Sequence, residues 1–311
     1  MYRAPGARLL DETVDVGIAA RLHWQYAWLA VASYNEIVDL PGETEPLGNN
    51  KRAGPVTIEI DGKPATCKAP EDELRDAGWT RIHPIWPAPS DAIYSVLLRT
   101  HTRVQVWENI DQKELVVSFG GTDGGVDWRS NLRWFIPESA DEYSIVAKQV
   151  TQAFMTEFER RAKLPENSYL RGIKLRTTGH SLGAGLAQQF AYALPIDPEH
   201  LVPRVDRVFA FDSSPVTGHG DVDEATLKIN VAGMKIDRVY ERGEILAAVR
   251  AFTGLFVAPS EKDPAIRGVR YMLFWKSPVA AVESHSMPRL ACYLEHSKDR
   301  PIPEGQKPEA N

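Results

Sequence analysis

Residues 173–194 read IKLRTTGHSLGAGLAQQFAYAL, and the change of character inside this stretch decides the fold. Ile173 to Thr178 is a short run with β-branched residues that predicts a strand, while Leu182 to Leu194 is small, apolar and free of proline and predicts a helix. Between them stands Gly179-His180-Ser181-Leu182-Gly183, a GxSxG set at a strand-to-helix junction. Such a turn is too tight for side chains on either flank of the serine, which accounts for Gly179 and Gly183. It holds a serine hydroxyl above the sheet at a helix N-terminus, where backbone N–H groups and the helix dipole favour developing negative charge. Ala184, Gly185 and Ala187 let the helix approach the sheet closely. Ser181 is therefore a candidate nucleophile; the plainer reading is a glycine-bounded turn with a serine N-cap.

Working outward, residues 92–100 (AIYSVLLRT), 102–109 (TRVQVWEN) and 113–121 (KELVVSFGG) predict three consecutive strands. The last is apolar enough for a strand covered on both faces. Residues 142–163 predict a helix with Ile145, Val146, Val150, Phe154 and Phe158 inward. VDRVFAF (205–211), DRVY (237–240) and GVRYMLFW (268–275) predict further strands, and His285 to Glu295 a final helix. Strands alternating with helices imply an α/β fold with a parallel or mixed sheet covered on both faces. Open sheets of this kind carry their chemistry at the carboxyl ends of strands.

Upstream, residues 17–38 predict a long helix with Leu22, Tyr26, Leu29 and Ser33 at helical spacing, its aromatic residues (Trp24, Tyr26, Trp28, Tyr34) reading as packing. Asp61-Gly62 predicts the turn of a small hairpin. Pro84, Pro87 and Pro89 mark a rigid connection. The expected organisation is a helical and hairpin appendage over 1–90 packed on the core, a catalytic domain over 91–296, and a flexible tail over 297–311.

Composition narrows the function. With 36 basic against 42 acidic residues and a net charge of −6, the chain does not look like a nucleic-acid binder, and it has no electrostatic reason to adhere strongly to anionic membranes. Its 311 residues suffice for a substantial core. No HExxH motif or Cys-rich cluster suggests a metal, and no cofactor is expected. Asp11, Glu12 and Asp15 interrupt the first twenty residues, so a signal peptide is not expected, and no window is apolar enough to span a bilayer. A cytoplasmic location, or export by a signal-independent route, is the expectation. The two cysteines, Cys67 and Cys292, are too few for a disulfide framework and fit a reducing compartment.

A serine nucleophile needs oxyanion donors, a base and an orienting acid. One donor is the N–H of Leu182, the residue after the nucleophile; the other is assigned to Thr122 in Gly120-Gly121-Thr122, after the strand LVVSF. Asp127 and Trp128 read as structural. Of the eight histidines, only His200, His219, His285 and His296 follow Ser181 far enough to serve as base. His285 is favoured because it opens the last helix after a strong strand; His180 reads as structural. For the acid, Glu244 in the loop after DRVY is favoured, Asp212 at the end of RVFAF is the alternative, and Glu241 and Asp237 are lesser candidates.

Taken together these residues resemble the class 3 lipases of the α/β-hydrolase superfamily, in particular their bacterial branch. The resemblance rests on an ordered set: LVVSFGGTDGGVDWRSNLRW (115–134), LRTTGHSLGAGLAQQFAYAL (175–194), FAFDSSPVTG (209–218), RVYERGEIL (238–246) and SHSMPRL (284–290). It implies an α/β-hydrolase fold, with a mostly parallel central sheet flanked by helices and the N-terminal helical and hairpin appendage added. It maps Ser181 as nucleophile, Glu244 as acid, His285 as base, and the Thr122 and Leu182 amides as the oxyanion hole. The activity implied is a serine carboxylic-ester hydrolase of lipase or phospholipase type, working through an acyl-enzyme. Another acyl-transfer enzyme, such as a thioesterase or acyltransferase, and a catalytically inactive binding module are the alternatives. Expected partners are a lipid or small-molecule ester and, transiently, a membrane or micelle surface; the oligomeric state is left open. The apolar segments 135–137 and 247–259 are candidate lid or acyl-groove material. Two departures stand out: Gly120 occupies a position where the family has Arg, which implies a looser loop without its Arg anchor, and the acid is Glu rather than Asp.

Overall fold

Asp61 and Gly62 both adopt positive φ, 50° and 76°, the geometry that a two-residue hairpin turn demands. They join β1 (Val56–Ile60) to β2 (Lys63–Cys67) in an antiparallel pair. The computed structural model describes residues 16–35, 53–82, 102–121, 143–197, 201–213, 217–241, 263–271 and 286–302, together with Ile93, Val96, Leu97, Thr100 and Glu199. Before the hairpin lies α1 (Val16–Ala32), and after it α2 (Pro70–Asp76) and a two-residue strand, β3 (Thr80–Arg81). Sequence reading did not anticipate α2, whose apolar face is only Leu74 and the stems around it.

The main sheet of the described residues has seven strands in sequential order: β3, β4 (Val104–Asn109), β5 (Glu114–Phe119), β6 (Lys174–His180), β7 (Val205–Phe211), β8 (Lys235–Glu241) and β9 (Ala265–Tyr271). The two pairings from β3 to β5 are antiparallel and the four from β5 to β9 parallel. The sheet thus takes its first strand from within the 1–90 segment. With helices on both faces, this is the α/β-hydrolase architecture.

Side chains on a strand alternate between faces, and here both faces are apolar. Leu115, Val117, Phe119, Val208, Ala210 and Ile236 enter one core with α3 (Thr151–Ala162, preceded by a π turn over Val146–Val150) and α4 (Leu182–Ala193). The inward residues expected of this helix, Ile145, Val146, Val150, Phe154 and Phe158, are all buried. On this side too lies α5 (Glu224–Val231), whose Asp223 cap accepts from the Thr226 N–H. Val116, Phe209, Phe211, Val239 and Val269 face the other core, closed by α1, the hairpin and α6 (Met287–Ser297). Because α1 lies between the sheet and α6, it is buried nearly all round rather than along one stripe.

Polar contacts fix α1 on the sheet. His23 lies 3.3 Å from Asp237 Oδ2 and 3.0 Å from the Tyr271 hydroxyl, while Arg207 and Arg267 donate to the same Asp237 carboxylate at 2.7 and 2.9 Å. Burial raises the Asp237 pKa, but the His23 hydrogen bond and the two guanidinium groups outweigh this and hold it well below the usual carboxylate range. Burial also lowers the His23 imidazole from its ordinary value, against the pull of Asp237. Tyr26 stacks on Phe209 with ring centroids 3.6 Å apart and donates to Glu114 Oε1 at 2.5 Å.

Two expectations are corrected. Of the segment expected as a strand over 92–100, the described residues Ile93, Val96, Leu97 and Thr100 are helical. Their spacing of i, i+3, i+4 and i+7 is the helical period, overridden in the sequence reading by the β-branched composition. The cysteines are not a reduced pair either, since Cys67 and Cys292 are joined in a disulfide with Cα atoms 5.7 Å apart. Packing of α6 against the hairpin brings together residues 225 apart in sequence, a proximity that spacing cannot reveal.

Candidate active site

The serine turn is built as its glycines require. Ser181 has φ 57° and ψ −121°, a conformation that costs a non-glycine residue about 1–3 kcal/mol and persists only where the surroundings impose it. Its N–H donates to Phe211 O at 3.0 Å, continuing the β6–β7 ladder, and its carbonyl accepts from Ala184 N at 3.2 Å, opening α4. One residue therefore belongs to a strand on one side and a helix on the other. A Cβ on Gly179 would lie 2.3 Å from Gly183 O, and one on Gly183 would lie 2.2 Å from Phe119 O. Both glycines are sterically obligatory, and the second presses the turn against the carboxyl end of β5. Leu182 follows as the first residue of α4, so its amide belongs to the orphan set at a helix N-terminus.

The root of the loop after β5 is anchored from two directions. Gly120 N donates to Arg103 O at 3.1 Å, and Arg103 Nη1 donates to Gly121 O at 3.0 Å. A Cβ on Gly120 would lie 2.9 Å from Arg103 Cβ and 2.6 Å from Ser33 O. At the root of the loop an arginine is present after all: Arg103, the residue before β4, holds Gly120 and Gly121, while the rest of the loop lies outside the described residues. From the other side, the Tyr34 hydroxyl donates to His180 O at 3.3 Å and lies 2.8 Å from His180 Nδ1. The same hydroxyl stands 2.5 Å from where a Gly121 Cβ would be.

Arg103 and Tyr34 were not singled out as site residues in the sequence. Tyr34 reads as one more member of an aromatic stripe. For Arg103 a signal existed: Val104 pairs with Phe119, so the residue before Val104 comes opposite Gly120.

Asp212 follows the last residue of β7 and is also held at positive φ, 40°. Its Oδ1 accepts from Glu241 N at 3.2 Å, and its Oδ2 lies 3.8 Å from His180 Nε2. His180 therefore sits between Tyr34 and Asp212 beneath the turn, consistent with a structural role. Asp237 serves the arginine pair under α1. Thr122, Glu244 and His285 lie outside the described residues, as do the segments 135–137 and 247–259. Their neighbours are described: Thr122 follows Gly121, Glu244 comes three positions after the end of β8, and His285 precedes Ser286, the N-cap of α6. Among the described residues, both groupings of three metal-type side chains include Cys67, whose sulfur is bonded to that of Cys292.

Residues 116–249 match the family model described as lipase (class 3). The match runs from inside β5 past Glu244 and excludes His285. No curated protein matches significantly. Solved structures similar to this chain include the Rhizomucor miehei lipase propeptide complex, at 15% identity and TM-score 0.41, covering 79% of this chain and 74% of that one. The lipase from Rhizopus microsporus var. chinensis is 16% identical with TM-score 0.45, covering 77% and 72%. The Lip2 lipase from Yarrowia lipolytica is 13% identical with TM-score 0.44, covering 74% and 75%.

Proposed function

We propose that this chain, which over residues 116–249 is a member of the class 3 lipase family, hydrolyses lipid carboxylic esters with Ser181 as nucleophile, His285 as base and Glu244 as the orienting acid. The observation that carries the reading is the backbone of Ser181: a positive-φ serine between β6 and α4, held by two glycines that no other residue could replace. His285 takes the Ser181 proton as Oγ attacks the ester carbonyl. The Leu182 and Thr122 amides stabilise the oxyanion, and the alcohol leaves with the proton from His285. Water then attacks the acyl-enzyme, with His285 again accepting the proton, and the acid is released. Glu244 holds the imidazole in the tautomer that accepts from serine.

Two features support this assignment. The contact of Gly183 with Phe119 O sets the loop leading to Thr122 beside the nucleophile. The Asp212 carboxylate is already engaged by the Glu241 amide and faces His180, which favours Glu244 as the acid. No described helix is long and apolar enough to cross a membrane. Of the two expected locations, the bridged cysteines favour an exported protein, because disulfides persist in oxidising compartments.

Fluorophosphonate labelling should fall on Ser181. Ser181→Ala should lower ester hydrolysis by at least about a thousandfold while leaving the fold intact. Normal hydrolysis by that variant would sink the mechanism. A panel of triglycerides, phospholipids, short esters and thioesters assigns the leaving group.

A further inference from the structure

We propose that Arg103 and Tyr34 are positioning residues for the oxyanion hole, fixing the peptide that joins Gly121 to Thr122. The inference rests on the reading of Thr122 as an oxyanion donor and goes beyond it by naming what aims that donor. A peptide unit is planar, so the Gly121 carbonyl and the Thr122 N–H cannot turn independently. Arg103 Nη1 holds that carbonyl at 3.0 Å, and Arg103 is only 3% exposed, so a fixed, dry guanidinium sets the plane in which the N–H points. A positive charge on the carbonyl oxygen also polarises the amide and makes its N–H a stronger donor, an effect enlarged by the low local dielectric.

Tyr34 closes the other side. Its hydroxyl bridges the two halves of the hole: it binds His180, the residue before the nucleophile, at both the carbonyl and Nδ1, and it abuts Gly121 where a side chain would otherwise be. The end of α1 that carries it is itself tied to β4, because Gln105 Nε2 donates to Ala32 O at 3.2 Å. Arg103, just before β4, and Gln105, on it, thus act together, the first on the loop root directly and the second through α1. Gly120 has no side chain because Arg103 and the Ser33 carbonyl occupy its space. The orientation of the Gly121 carbonyl, and with it the peptide leading to Thr122, is then set by contacts that never touch substrate.

The test compares Arg103→Met, Arg103→Lys and Tyr34→Phe with the wild-type chain on a soluble short-chain p-nitrophenyl ester, alongside inhibition by an alkyl boronic acid, whose tetrahedral serine adduct carries the oxyanion charge. Arg103→Met and Tyr34→Phe should each lower kcat about tenfold to a hundredfold with KM within about twofold, a fraction of the effect of deleting an oxyanion donor outright. Boronate affinity should fall in parallel with kcat, and Arg103→Lys should lie between wild type and Arg103→Met. Folded variants with wild-type kcat, or a kcat that falls while boronate affinity stays constant, overturn the inference. Should Arg103→Met fail to fold, Tyr34→Phe, which removes one oxygen, decides by the same two readouts. A wild-type chain that neither labels at Ser181 nor cleaves esters overturns the underlying function instead; an active wild type with indifferent variants overturns only the positioning roles.

Discussion

Removing the Cys67–Cys292 bridge should destabilise the protein by an amount set by the loop it closes. The two residues are 225 apart, and the chain-entropy relation gives a loss of about 18 cal/mol/K for a loop of that size, or about 5 kcal/mol at 25 °C. An unfolding entropy of about 2.1 cal/mol/K per residue gives about 650 cal/mol/K for the whole chain. Their ratio is a fall in Tm of about 8 °C. Both cysteines are buried, so Cys67→Ala with Cys292→Ala is the cleanest variant, leaving small apolar side chains at the joint between hairpin and α6. The assay is a calorimetric melt of the oxidised wild type, the double variant and the wild type held in dithiothreitol; the last two should melt together. Alkylation and mass measurement on unreduced, denatured protein should find no free thiol. A double variant melting within about 2 °C of the oxidised protein would refute the loop argument, and two alkylated thiols would refute the bridge.

Two further outcomes are expected. Gly183→Ala should cost about 1–3 kcal/mol or more from overpacking and lower ester hydrolysis more than tenfold, because its Cβ would meet Phe119 O at 2.2 Å; a variant with normal turnover shows that the turn is not fixed as described. His23 is buried and its imidazole lies below its ordinary pKa, so the unfolded chain takes up a proton that the folded chain refuses. Its contribution to stability is full above about pH 6.5 and is lost as the pH falls below it, by at most about 1.4 kcal/mol per pH unit. His23→Gln should therefore cost more stability at pH 7.5 than at pH 5.5 in denaturant titrations, and an equal cost at both contradicts the assignment.

What could be read in the sequence follows from which forces are local. The strand-to-helix turn shows itself in five residues, but only Gly179 is required locally, by Gly183 O; Gly183 is required by Phe119 O at the end of β5. The central strands show themselves by composition, since β5 is covered on both faces. Ile93, Val96, Leu97 and Thr100 misled because their side chains suit a strand while their spacing suits a helix, and the spacing prevails. The tie between Cys67 and Cys292, the Arg103 anchor and the Tyr34 hydroxyl all depend on tertiary proximity. A reading residue by residue has no term for it, although strand register would have put Arg103 beside Gly120 once β4 and β5 were paired. Thr122, Glu244 and His285 rest on chain order and on described neighbours.

The two sides of the sheet differ in how they are held. On one, α3, α4 and α5 each lie on a connection between successive strands, so each is tethered to the sheet at both ends. On the other, α1 and α6 flank the run of strands at its two ends and cover it as a pair. That cover carries Tyr34 just past one helix and has His285 just before the other. On the proposed assignment of His285 as base and Tyr34 as a positioning residue, the site therefore depends on both ends of one buried layer, which the Cys67–Cys292 bridge and the His23–Asp237 contact hold against the sheet.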